Sequence, residues 1–258
     1  MAPSRSRTLE SAARSRTAPE TPSKKKSPPA TFEGFADAKM SFFRALEKHQ
    51  DREWFAAHKA EYEEGWAKPM ALLLDAVHAK IDGTFTHCDL TEPKVFRIYR
   101  DVRFSKDKSP YKTHVAGGIG IGTKTIAPSA PSALYVHLGI ENGKPSTFAG
   151  SGQYGFDGPA LARYRKALLD PARAKELTSL LAKLEKKGFT VASESSLQRP
   201  PKGFEDHPLA ELAKRKGLVV DFGPIPAAAI PTPKLATWLV ERAKLAAPLV
   251  EWVTFATA

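Results

Sequence analysis

The sequence predicts an α+β protein built on a mainly antiparallel sheet, with helices on either side of it in the chain. Three observations carry this reading. The first third repeats its apolar residues at helical spacing, the middle switches to period-two alternation, and helical spacing then returns. The connection at 141–144, between residues 133–141 and the segment that follows, is too short for a crossover helix, so those strands run antiparallel. At 258 residues, with 42% hydrophobic and 26% charged side chains, the chain has ample material for one core.

Residues 1–30 stand apart. Arg5, Arg7, Arg14, Arg16 and Lys24 to Lys26 face only Glu10 and Glu20, a local +5, among Ser and Pro with almost nothing apolar. Such a segment cannot bury enough surface to offset its ordering entropy, so it is expected to be a disordered basic tail, with 31–258 as a single domain. No apolar face suggests a transit peptide, and no apolar run approaches the roughly 20 residues of a membrane span. The single cysteine, Cys88, rules out an internal disulfide and fits a reducing, cytoplasmic setting.

Folded sequence begins near Phe32. Residues 37–50 carry helical spacing through Met40, Phe43 and Leu46. Asp51 reads as the N-cap of a second helix, whose aromatic residues Trp54, Phe55, Tyr62 and Trp66 suit a core stripe. Trp54 and His58 share a face that would line a cleft if this helix covers the sheet. Pro69 should break or kink the run and Gly83 should end it.

Alternation then marks 94–104 and 133–141, with "VAGGIGIG" (115–122) as a glycine-bearing strand between them and "NGK" as a hairpin turn. Later, Asp157 with Pro159 and Asp170 with Pro171 start two helices, and 207–217 makes a short third. "LVVDF" (218–222) returns a strand. A long helix over 232–256 closes the chain, capped by Thr232, bent at Pro248, with Leu235, Trp238, Leu239, Leu245 and Leu249 toward the core.

The stretch "RIYRDVRFSKDKSPYKTH" (97–114) concentrates chemistry. Its six Lys/Arg against Asp101 and Asp107 give +4, most of the +6 carried by residues 31–258. Strand alternation puts Phe96, Ile98, Arg100, Val102 and Phe104 on one face and Arg97, Tyr99, Asp101, Arg103 and Ser105 on the other. Guanidinium forks match paired oxygens of phosphate or carboxylate. The following loop adds Lys106, Lys108, Tyr111, Lys112 and His114, with Pro110 stiffening it. If the loop folds over the polar row, the result is a basic pocket for an anionic small molecule. Asp101 and His114 are then the candidate catalytic groups. The competing reading is a wet strand face and solvated lysines, which is common for antiparallel sheets.

Other motifs are weaker. Gly150 to Gly155 matches G-x-G-x-x-G, yet its setting is a hairpin rather than a βαβ unit, so a tight loop is expected and no cofactor is named. His87, Cys88 and Asp89 are adjacent ligand types without metal-site spacing. No nucleophile elbow occurs.

"FRIYRDVRFSKDKSPYKTH" closely resembles the signature of a family of unknown function found in bacteria and fungi, and "DREWFAAHKAEYE" and "RPPKGFEDHPLAELAKRKG" resemble its flanking blocks. The resemblance covers most of residues 32–222. It implies a single α+β domain and supplies no activity. It also implies a shared site at Arg97, Tyr99, Arg100, Asp101, Arg103, Ser105, Lys106, Lys108, Tyr111, Lys112 and His114, with Arg199, Lys202 and His207 as weaker additions. Ligand binding is the leading expectation. A hydrolase or transferase on such a ligand, and nucleic-acid binding through the basic surface, are the alternatives.

Overall fold

A computed structural model describes residues 31–103, 106–122 and 130–258. The expected tail, Phe104 and Ser105 lie outside the described residues. Residues Thr31–Ala258 form one unit.

The fold is α+β. Helices α1 (Ser41–Lys48) and α2 (Arg52–Tyr62) come first, and α2 passes through a π-turn at Glu63–Ala67 into α3 (Lys68–Ile81). The Asp51 carboxylate accepts the Trp54 N–H at 2.7 Å, capping α2 as its sequence anticipates. Pro69 sits in the first turn of α3. The expected kink therefore takes the form of a π-turn just before the proline, which has no N–H to donate to the preceding turn.

Six antiparallel strands follow in the spatial order β1-β2-β3-β4-β6-β5: β1 (Lys94–Val95), β2 (His114–Gly120), β3 (Ser132–Glu141), β4 (Lys144–Gln153), β5 (Thr190–Ala192) and β6 (Leu218–Asp221). The β3–β4 turn is Asn142-Gly143, both at positive φ (52° and 73°), the conformation a two-residue hairpin needs. Helices α4 (Gly158–Leu169), α5 (Pro171–Lys186) and α6 (Ala210–Lys214) separate the later strands, and α7 (Lys234–Thr257) ends the chain.

One sheet face is the core. Val115 and Ile119 of β2, Leu134, Val136, Leu138 and Ile140 of β3, and Leu218 and Val220 of β6 are all fully buried. Helices α1, α3 and α7 pack against the sheet. A Cβ on Gly117 would stand 2.6 Å from the Leu74 side chain, so α3 lies directly on β2. Strand register puts a different set on the opposite, outer face: His114, Ala116 and Gly118, then Tyr135, His137 and Gly139, then Phe148 and Gly150, then Asp221.

Several expectations need correction. The strand over 94–104 stops at Val95, and the run Gly150–Gly155 begins inside β4 rather than in a tight loop. Gly150 and Gly152 pair with β6 of an antiparallel sheet, so the dinucleotide motif's parallel unit is absent there. Thr232 does not cap α7; its hydroxyl donates to the Ala229 carbonyl, and Pro233 takes the cap position. Pro248 sits within an unbroken α7. Leu245 is exposed because the buried stripe of α7 runs through Leu239, Ala243, Ala246 and Val250, and position 245 falls beside it.

Candidate functional site

The site is built on the chain excursion between β1 and β2. After Val95 the chain still runs beside β2, but through spaced bonds instead of a regular ladder. Phe96 N–H donates to Ala116 at 2.8 Å, Lys112 N–H to Ile98 at 2.8 Å, and Arg100 N–H to Pro110 at 2.9 Å. Tyr99 and Tyr111 form an isolated antiparallel bridge.

Side chains hold the tip. Arg103 donates to both Asp101 oxygens at 2.9 and 2.6 Å, and Arg100 meets Asp107 at 2.6 Å. Asp107 also accepts the Ser109 N–H and hydroxyl, and Lys108 Nζ donates to the Val102 carbonyl. These short-range bonds compete with strand pairing, which accounts for the ladder's early end.

The alternation anticipated from sequence survives as a pattern of exposure. Ile98 is buried and Phe96, Arg100 and Val102 are half-buried, while Arg97, Tyr99, Asp101 and Arg103 are exposed. Asp101 and Arg103 pair with each other near solvent, the Arg103 side chain being 76% exposed. That pairing holds the Asp101 carboxyl down at about 2, chiefly through the hydrogen bonds from Arg103. Asp107 is lowered too, by its bonds from Ser109 and by Arg100. Both acids of the segment are thus engaged locally, and its positive excess rests on Arg97, Lys106, Lys108 and Lys112.

Two regions adjoin this excursion. The first is a groove of about 460 Å³ between α2 and the Tyr99–Tyr111 bridge, lined by Arg52, Phe55, Ala56, Lys59, Tyr99, Arg100, Val102, Pro110 and Tyr111. Phe55 stacks on Tyr111 at 4.3 Å and meets Tyr99 edge-on at 6.0 Å. Tyr111 is buried, whereas Tyr99 is 49% exposed. α2 contributes Arg52, Phe55, Ala56 and Lys59 here, not Trp54 and His58, which stack on each other at 4.0 Å.

The second region is the outer sheet face beside β2. Lys112 is half-buried, and its ammonium pKa is pushed down by burial first and then by the Arg97 and Arg100 guanidiniums. Among the described residues no ion pair joins Lys112 or Arg97 to a carboxylate. His114 follows on the same side of the strand. Burial, then His137, Lys112 and Arg100, lower its imidazole to about 4, so it is neutral at pH 7.

The His114 and His137 rings lie 5.1 Å apart across the β2–β3 pair. Burial lowers His137 as well, and its buried Nδ1 has no hydrogen-bond partner. Tyr135 and Phe148 adjoin His137 at 5.8 and 6.0 Å.

The charges acting on His114 come from His137, Lys112 and Arg100; Asp101 is not among them. Lys106 and Lys108 are exposed. So are Arg199 and Lys202, and no hydrogen bond or ion pair ties either to residues 97–114 among the described residues. His207 accepts the Leu209 N–H at 3.0 Å, a local structural bond. Ser105 lies outside the described residues.

His137, Tyr135 and Phe148 were missed from sequence. Their signal was present: Tyr135 and His137 are the alternate positions of an otherwise aliphatic strand.

Fold and site together define an α+β protein whose antiparallel sheet buries one face under helices and carries a cationic, histidine-bearing patch at the border of the other. The chain belongs to the conserved hypothetical protein family DUF2461, whose model matches residues 38–252 and so extends through most of α7. No curated protein and no solved structure matches the chain. No helix among the described residues is long and apolar enough to cross a membrane.

Proposed function

We propose that the protein binds a phosphate- or carboxylate-bearing small molecule at Arg97, Arg100, Lys112 and His114. One observation carries the reading. The Lys112 ammonium is half-buried, and burial first, then the Arg97 and Arg100 guanidiniums, lower its pKa, while among the described residues no carboxylate pairs with it. A half-buried ammonium beside like charges is costly unless something neutralises it. A bound anion does so, and guanidinium and ammonium donors suit its oxygens. Arg100 is shared with Asp107, which keeps its fork in place until an anion competes for it.

The site is compact, which favours a small anion over an extended nucleic-acid backbone. Turnover on the same ligand is the second reading. Its supporting observation is the neutral His114 beside the cations, able to take a proton. Asp101, ionised and engaged by Arg103, is the weaker base of the two.

Calorimetric titration of the purified full chain with inorganic phosphate and with citrate tests the reading. Lys112→Met keeps the side-chain length and removes the charge. It is expected to weaken the tighter of the two anions by about tenfold or more, the worth of one charge-assisted contact. Equal affinity in the wild type and the variant would rule the site out.

A further inference from the structure

We infer that the bound anion carries a planar ring, as a nucleoside monophosphate does, and that this ring lies on the outer-face patch of Phe96, Tyr135, His137 and Phe148. This rests on the anion-binding reading above and names its ligand class. The four rings come from three neighbouring stretches of chain: Phe96 just beyond β1, Tyr135 and His137 on β3, and Phe148 on β4. Phe96 and Tyr135 are 6.1 Å apart and inclined by 27°, and His137 and Phe148 are 6.0 Å apart and inclined by 28°. All four are half-buried, so each still offers part of its surface to solvent.

The outer face of an antiparallel sheet ordinarily carries polar side chains. Here it carries rings, and the residues flanking Tyr135 across the sheet are both glycine: Gly118 on β2 and Gly150 on β4. Side chains at those positions would stand up beside the phenol and break the surface into separate pits. Their absence leaves the Gly118 flank of Tyr135 low and opens the other to a neighbouring ring. Phe148 leans into one of the gaps, since a Cβ on Gly150 would come within 2.8 Å of its ring. The result is an aromatic patch whose rings are turned relative to one another, Tyr135 at 75° to His137 and 48° to Phe148, so that a planar ring stacks on one near-parallel pair, Phe96–Tyr135 or His137–Phe148.

Its position relative to the cations gives the ligand its shape. The neutral His114 ring adjoins Lys112 and Arg100 and the His137 ring belongs to the aromatic patch, and 5.1 Å separates them. A ligand must therefore place its anionic group and its ring a short spacer apart, as the sugar of a nucleotide does. The cations acting on Lys112 are Arg97 and Arg100, and those acting on His114 include Lys112 and Arg100, a small local group. That arrangement suits one phosphate and one base, whereas a strand needs a track of charge.

Calorimetry on the purified full chain decides it, using inorganic phosphate, AMP, adenosine and a single-stranded oligoadenylate of eight residues. AMP is expected to bind about tenfold more tightly than phosphate, the worth of one stacked base, with adenosine weaker than AMP. Tyr135→Leu and Phe148→Leu are each expected to bring the AMP-to-phosphate ratio close to one. Because the ratio is taken within each variant, partial loss of folding does not imitate the effect. AMP binding no better than phosphate overturns this inference and leaves the anion site standing. Absence of binding by phosphate, citrate and AMP alike overturns both. Oligoadenylate binding more than about tenfold tighter than AMP overturns the free nucleotide in favour of a strand.

Discussion

His114 and His137 face each other across the β2–β3 pair with ring centres 5.1 Å apart, and burial lowers the pKa of both. Two imidazoles this close resist double protonation, and Lys112 and Arg100 add to the cost at His114. Lys112 and Arg100 thus keep an unfavourable positive potential at the neutral His114 imidazole, beside the proposed anion site.

Stability should therefore fall in acid. His114 is lowered to about 4 in the folded protein against 6.5 as its ordinary value, so the unfolded chain takes up its proton first. The contribution is complete above pH 6.5 and declines until the pH reaches about 4. The loss is on the order of 3 kcal/mol from this residue. Urea titrations of wild type and His114→Gln between pH 4 and 8 check it. The variant's stability should vary less across that window, and identical pH profiles would remove His114 as the cause.

Anion binding should strengthen over the same range. An anion beside His114 favours the imidazolium, so ligand and proton bind cooperatively. The groups facing this imidazole are His137, Lys112 and Arg100, none of which supplies negative charge. Sulfate remains a dianion throughout, so its own titration does not intrude. Its affinity is expected to rise about tenfold between pH 7.5 and 5, with net proton uptake on binding. A flat profile contradicts the coupling.

Lys112→Met should stabilise the unliganded protein. It replaces a half-buried ammonium set against two guanidiniums by an apolar side chain of similar length. A gain of about 1 kcal/mol, or a rise of about 2–4 °C in Tm, is expected in anion-free buffer. A fall of that size would show that Lys112 has a compensating partner.

Much of the fold was legible because its signals are local. Asp51, Asp157 and Asp170 each cap the helix that the sequence assigns them. Asn142-Gly143 makes the expected hairpin. Exposure alternates over 96–103 as anticipated, but the hydrogen-bond ladder does not follow. Asp101, Asp107, Ser109 and Lys108 bind the chain locally instead, and side-chain competition of that kind is not visible in hydrophobic period. The six-strand order, and short β5 above all, depend on pairings distant in sequence.

For the site, the proposal stays on the segment that the sequence singled out but draws on other side chains of it. Asp101 and Arg103 neutralise each other near solvent. Arg100, which breaks the apolar alternation, lines the groove beside Tyr99 and Tyr111. Tyr135, His137 and Phe148 join Lys112 and His114 through strand register, which single-strand alternation does not supply.

Gly139→Ala should disturb this arrangement directly. The added methyl would meet the Thr113 carbonyl oxygen at 2.2 Å and the His114 Cβ at 2.3 Å, both attached to backbone with little room to yield. A loss of about 1–3 kcal/mol is expected, with a shift of the His114 imidazole resonance. Unchanged stability and an unmoved resonance would contradict the register described for β2 and β3.

Asp101→Asn should leave Tm unchanged, because the carboxylate it alters is exposed and pairs with Arg103 near solvent, with Arg97 adding a lesser attraction. Anion affinity should also hold. A large loss of affinity in this variant would return Asp101 to the site.

The most direct measurement follows the His114 and His137 imidazole resonances by NMR as sulfate is added at constant pH. Both should move along one saturable curve, with the His114 pKa rising at saturation, and Lys112→Met should shift that curve to about tenfold higher sulfate. Imidazole resonances that stay fixed while sulfate binds elsewhere, or that respond identically in Lys112→Met, would contradict an anion site on this face of the sheet.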